Sequence, residues 1–186
     1  MSRRIHVFDR PDRFVADAIG VPGQRTFYLQ ARDGQRVVSV ILEKVQVAAM
    51  AERLVQLLSA VSERGVELPP DLRTVDDAAP LDEPLRESFR VGTIVLGWDD
   101  RRRRVMVEAR AQVEEDEEQD EEPVEVPDDA AEGYDLLRVF VEPPAVHAFA
   151  RRATRVVAGG RPPCPMCGQP LDPQGHLCPR RNGYVH

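Results

Sequence analysis

Two stretches decide how this chain folds: VILEKVQVAAMAERL at residues 40–54 and VFVEPPAVHAFARRA at residues 139–153. Each opens on a β-rich run and changes period at a glutamate. After Glu43, Val47, Met50, Ala51, Leu54, Leu57, Leu58 and Val61 recur at steps of three and four, the stripe of an amphipathic helix that ends near Gly65. After Glu142, Pro143 and Pro144 suit a helix start. Val146, Phe149, Ala150, Ala153, Val156 and Val157 form a second stripe, ended by Gly159 and Gly160. Glu43/Glu142, Val47/Val146, Ala49/Ala148, Ala51/Ala150 and Arg53/Arg152 match at one constant offset. The match is either an internal duplication of a hairpin-plus-helix unit or coincidence between two helices in an Ala/Arg-rich chain.

Around these passages lie two hairpins. TFYLQA and VVSVIL flank a turn at Asp33 and Gly34; VGTIVLGW and RVMVEARA flank the turn DDRR. YDLLRVFVE adds a further strand. Near the start, Pro11 marks a turn between a short strand at residues 5–8 and a helical turn at residues 14–19. The Pro- and Asp-rich run ELPPDLRTVDDAAPLDEPLRE reads as a surface loop. The expected fold is therefore α+β, with a mostly antiparallel sheet (two hairpins plus a further strand) covered on one face by two helices. It forms one domain over residues 1–160, followed by a tail at residues 161–186.

The net charge of −7 is unevenly spread. Residues 114–132 hold twelve acids and no base, and without them the chain stands at +5. So dense a run of like charge cannot bury enough apolar area to offset its ordering entropy. Residues 112–133 are thus expected to form a disordered acidic insert. The remaining body is too weakly basic for a dedicated DNA binder. Lys44 is the only lysine among 25 basic residues, a bias that fits a GC-rich genome. No apolar run is long enough to span a bilayer, and no apolar segment follows the two N-terminal arginines as a signal peptide requires. The chain reads as cytoplasmic.

All three cysteines fall in CPMCGQPLDPQGHLC at residues 164–178. Cys164 and Cys167 form a CPxCG knuckle, a turn that aims backbone N–H groups at the sulfurs. His176 and Cys178 complete a Cys3His set for one structural Zn2+. Four protein ligands leave no position for a catalytic water. His176 is the least secure ligand, with His186 or a water as substitutes. A redox pair would need its C-x-x-C at a helix start in a βαβ unit; this one follows Arg161-Pro162-Pro163 in coil. A tail with so few apolar residues needs a metal to fold.

Other candidates are weaker. Arg161, Arg180, Arg181 and Tyr184 flank the knuckle as they would in a nucleic-acid-binding one, although a solvated tail explains them as well. Arg101 to Arg104 fall in a hairpin turn, where charge is ordinarily exposed. Lys44 and Glu43, with Glu142, mark strand-to-helix junctions where an enzyme pocket could form. His6 and His147 have no visible catalytic partner, and no phosphate loop, dinucleotide fingerprint or nucleophile elbow is present.

RPPCPMCGQPLDPQGHLCPRRNGY, HVFDRPDRFVADAIGVPGQRTFYLQAR and VILEKVQVAAMAERL together resemble the uncharacterised actinobacterial proteins grouped as domain of unknown function 3090. The resemblance covers nearly all the chain except the acidic insert, and its tail is the most specific part. It implies an actinobacterial source and transfers no activity. The phosphatase-like and kinase-like proteins that accompany such members imply a partner in a phosphate-linked pathway. The sequence thus points to a binding or adaptor protein that engages another protein through a body with a zinc knuckle. An enzyme or enzyme subunit with a pocket near Glu43 and Lys44, or a nucleic-acid binder using the basic tail, stand as alternatives.

Overall fold

The computed structural model describes residues 3–70, 77–112, 133–160, 164–167 and 178. Seven strands and two helices follow in order: β1 (Ile5–Phe8), β2 (Arg13–Ile19), β3 (Thr26–Asp33), β4 (Arg36–Leu42), α1 (Lys44–Glu63), β5 (Glu87–Asp99), β6 (Arg104–Ala111), β7 (Leu136–Val141) and α2 (Pro143–Ala158). One sheet carries all seven strands in the order β1-β7-β6-β5-β4-β3-β2. The β1–β7 and β4–β5 pairs are parallel and the rest antiparallel. Both expected hairpins, the further strand and both helices are present. The tight turn between β3 and β4 holds Gly34 at φ +58°, a conformation that glycine adopts without strain.

Two expectations need correction. The sheet is larger than two hairpins and a strand, and residues 14–19 belong to β2, not to a helical turn. Every residue of β2 pairs with β3, from Arg13↔Arg32 to Ile19↔Thr26. Ala16 and Ala18 favour helix locally, but this ladder and the burial of Phe14, Val15 and Ala16 outweigh that preference. The loop after α1 is also more than a surface excursion. Gln30 on β3 is buried, donates to the Asp82 carbonyl at 3.1 Å and accepts from the Asp82 N–H at 2.8 Å, so residues 77–82 dock on the sheet. The acidic stretch at residues 113–132 lies outside the described residues.

The sheet must be rolled. Its edge strands β1 and β2 are joined by only four residues. Six inter-strand gaps in a flat sheet would separate those edges by about 29 Å. The link from Phe8 to Arg13 reaches roughly 18 Å when fully extended. The concave face carries the alternating residues Phe27, Leu29 and Ala31, Val38, Val40 and Leu42, Val105, Val107 and Ala109, and Leu137, Val139 and Val141. Val47, Met50, Leu54 and Leu58 of α1, and Val146, Phe149 and Ala153 of α2, close over them in one core. Each fully buried large apolar side chain stabilises the fold by roughly 1.5–3 kcal/mol. Phe149 stacks on Phe14 with ring centroids 4.8 Å apart, so α2 lies beside β2, while α1 lies beside β5.

The chain makes this arrangement twice. β3, β4 and α1 recur as β6, β7 and α2. β5 pairs parallel with β4 over its first residues and antiparallel with β6 over the rest, with a bulge between Val91 and Thr93. β1 and β2 divide the same two tasks between them, pairing with β7 and β3. Gly92 permits the bulge, because a Cβ there would stand 2.9 Å from the Gln112 Cα.

Candidate metal centre

α2 ends at Ala158, and the Gly159 N–H closes its last turn on the Arg155 carbonyl at 2.9 Å. Cations gather at this negative helix end. Arg25 donates to the Val156 carbonyl at 2.8 Å. A Cβ on Gly160 would lie 3.2 Å from Arg25 Nη2 and 3.4 Å from Lys44 Nζ. The lone lysine therefore stands beside Gly160, just past the C-terminal end of α2 and four residues before Cys164.

From Cys164 the chain turns through Pro165, Met166 and Cys167. The backbone N–H groups of Cys167 and Met166 point at the Cys164 sulfur and lower its pKa by stabilising the thiolate. The sulfurs of Cys164, Cys167 and Cys178 all lie within 4.8 Å of one another. Cys164 Sγ and Cys178 Sγ are 4.0 Å apart, and none of the three cysteines forms a disulfide. A disulfide would bring a pair to about 2.05 Å. Thiolates on a tetrahedral ion with bonds of ~2.3 Å stand about 3.8 Å apart, which is the spacing these sulfurs approach. Three cysteines brought together across ten intervening residues, with N–H donors aimed at one of them, can hold a metal ion. His176 and His186 lie outside the described residues, as do Arg161, Arg180, Arg181 and Tyr184.

The junction glutamates are engaged elsewhere. Glu43 accepts from Arg90 at 2.7 Å, and its N–H is capped by Gln46 Oε1 at 2.8 Å. Glu142 accepts from Arg104, also at 2.7 Å. Both are exposed, and neither lines the grooves that flank α1. In the hairpin turn, Arg102 pairs with Asp99 and Asp9 and covers the Phe140 ring, while Arg103 donates to the Glu67 carbonyl. Three of the four turn arginines thus hold their surroundings together. His6 on β1 is half-buried; burial, then Arg36 and Arg4, lower its pKa against the opposing pull of Asp135. His147 lies in the groove between α1 and α2.

The sequence reading missed a second polar centre. Arg152 is buried, yet each of its guanidinium nitrogens is satisfied. It donates to the Ala16 and Ala79 carbonyls at 3.3 and 2.7 Å and pairs with Asp17 and Asp77. Nearby, Arg13 bridges Asp77 and Asp82, and Arg32 also pairs with Asp82. These contacts fasten residues 77–82 across the edge of β2. Only the Arg53/Arg152 match could have drawn attention to this position.

No helix among the described residues is long and apolar enough to cross a membrane. The protein family described as "Protein of unknown function (DUF3090)" matches residues 6–178. Neither the curated proteins nor the solved structures provide a match.

Proposed function

We propose, for a chain that belongs to the DUF3090 family, a non-enzymatic role: a binding or adaptor protein whose α+β body carries a structural zinc knuckle and engages another protein. The observation that carries this reading is the cluster of three cysteine sulfurs within 4.8 Å of one another. Cys164, Cys167 and Cys178 would hold the ion, and His176 is the proposed fourth ligand. Thiolates with an imidazole favour zinc over the hard cations, which prefer oxygen. A filled shell of four protein ligands leaves the ion no open position for chemistry. Its contribution is folding energy for the tail. The engagement of Glu43 and Glu142 with arginines supports a binding role over catalysis at those junctions.

Metal analysis of the purified protein tests the reading. The wild type should carry about one zinc per chain. Cys164→Ser and Cys178→Ser should each lose it while the circular dichroism of the body is preserved. A wild type without metal refutes the knuckle. Affinity capture with the wild type beside Cys164→Ser then places the partner. A protein held only by the wild type docks on the knuckle; one held by both docks on the body.

A further inference from the structure

The repeat allows one half of the molecule to be compared with the other, rung by rung. Phe14, Ala31 and Val38 lie abreast on β2, β3 and β4, as Ile94, Ala109 and Leu137 do on β5, β6 and β7. Ala16, Leu29 and Val40 correspond in the same way to Leu96, Val107 and Val139. On the helices, Phe149 corresponds to Met50 and Arg152 to Arg53.

At β2 the position beside the strand is filled. Arg152 bonds the strand through the Ala16 carbonyl and holds the loop through the Asp77 and Ala79 carbonyls and the Asp77 carboxylate. At β5 the corresponding position is open. A groove of about 580 Å3 separates α1 from the strand, with Gln46, Met50, Arg53, Leu57, Ile94 and Leu96 among its lining. β4 pairs with β5 only at Ser39↔Glu87 and Ile41↔Arg90, so beyond Val91 this flank has no strand partner among the described residues. Ile94 and Leu96 are half-exposed, although their neighbours Ala109 and Val107 on β6 are buried. Arg53 is exposed and, among the described residues, is the only charged side chain lining the groove.

We infer that the groove between α1 and β5 docks an extended acidic segment of a partner polypeptide. The segment lies along Thr93 to Leu96, beyond the Gly92 carbonyl that accepts from Gln46 Nε2 at 3.1 Å, and offers Arg53 the carbonyl and carboxylate oxygens that residues 77–79 offer Arg152. The inference deepens the proposed binding role and rests on it. An open strand flank selects an extended chain, because its backbone groups seek backbone partners. A lone arginine in an otherwise uncharged lining selects an acid. The space between helix and strand suits one extended chain; a second copy of this protein would bring its own α1 alongside its β5.

The test uses the full chain and a fluorescein-labelled decapeptide alternating valine and glutamate, read by fluorescence anisotropy at low salt. The same peptide with lysine for glutamate is the control. The acidic peptide should bind and the basic one should not. Arg53→Glu, at an exposed site, should weaken binding at least about tenfold, as should Leu96→Arg, with folding of both checked by circular dichroism. Amides between Gly92 and Trp98 should gain protection from hydrogen exchange when the acidic peptide is added. Cys164→Ser should bind the peptide as the wild type does. Failure of the acidic peptide to bind overturns the proposal, and so does binding indifferent to both groove variants. Binding seen only after deletion of residues 113–132 would identify the chain's own acidic stretch as the occupant and would also overturn it. Zinc retained without peptide binding removes the groove and leaves the knuckle reading standing; peptide binding without zinc does the reverse.

Discussion

Arg53 and Arg152 occupy matching places on two helices and hold opposite energetic positions. The Arg152 side chain is 5% exposed and is tied to four residues of β2 and the docked loop. Arg152→Ala would take the guanidinium from the Asp17 carboxylate and from the Ala16 and Asp77 carbonyls, while the Ala79 carbonyl keeps Arg13, costing about 3 kcal/mol. Arg53→Ala, at the surface, should change stability by less than about 0.5 kcal/mol. Urea unfolding of the two variants measures both, and equal effects would contradict the assigned environments. The sequence showed the pair but not the difference, because the partners of Arg152 lie 73 to 136 residues away. The thiol cluster was legible because its members are local and closely spaced.

The elements divide along the same line. Both helices were readable, since a period of 3.6 over four or more turns is a strong local signal. β2 was not, because its seven residues become a strand only by pairing with β3. The loop after α1 lies at the surface as its prolines and aspartates signal, but they do not show that arginines on β2, β3 and α2 hold it in place. That attachment should be sensitive to acid. The hydrogen bond from Arg13, chiefly, holds the Asp77 pKa below its ordinary 3.8, against the opposing effect of burial. A carboxylate with a depressed folded pKa stabilises the fold above its ordinary value, and that contribution is lost as pH falls through the folded one. Residues 77–82 should therefore loosen below about pH 4. The Ala79 amide, which donates to the Asp77 carboxylate at 2.9 Å, reports this by faster hydrogen exchange than its pH-corrected intrinsic rate accounts for. In Asp77→Asn the amide should already be less protected at neutral pH, and its further loss in acid should be smaller. An unchanged acid response in that variant would assign the effect to other carboxylates, such as Asp135, whose pKa is also lowered.

At the scale of the whole molecule, five matched positions left a repeat and a coincidence both open, and could not show that each half depends on the other. Local patterns cannot show that β4 requires β5, that β7 requires β1, or that each helix packs beside the first long strand of the opposite half. Those pairings join residues far apart in the chain, and the reach of the link between β1 and β2 forces the sheet to curl around them. Cutting the chain between Pro70 and Asp77 tests this dependence. Residues 1–70 keep β1 to β4 and α1 but lose the strands that flank β4 and β1 and the helix that packs on α1. A core in so short a piece rarely supplies more than about 3–5 kcal/mol even when complete, and this one would be missing half its lining. Residues 77–186 lose the partners of β5 and β7. Neither piece should show cooperative unfolding alone, and an equimolar mixture should recover it, as measured by circular dichroism and size exclusion. A cooperative monomer from residues 1–70 would mean that the halves are separate domains in contact. The dependence predicted here follows from a single core lined by strands and helices of both halves.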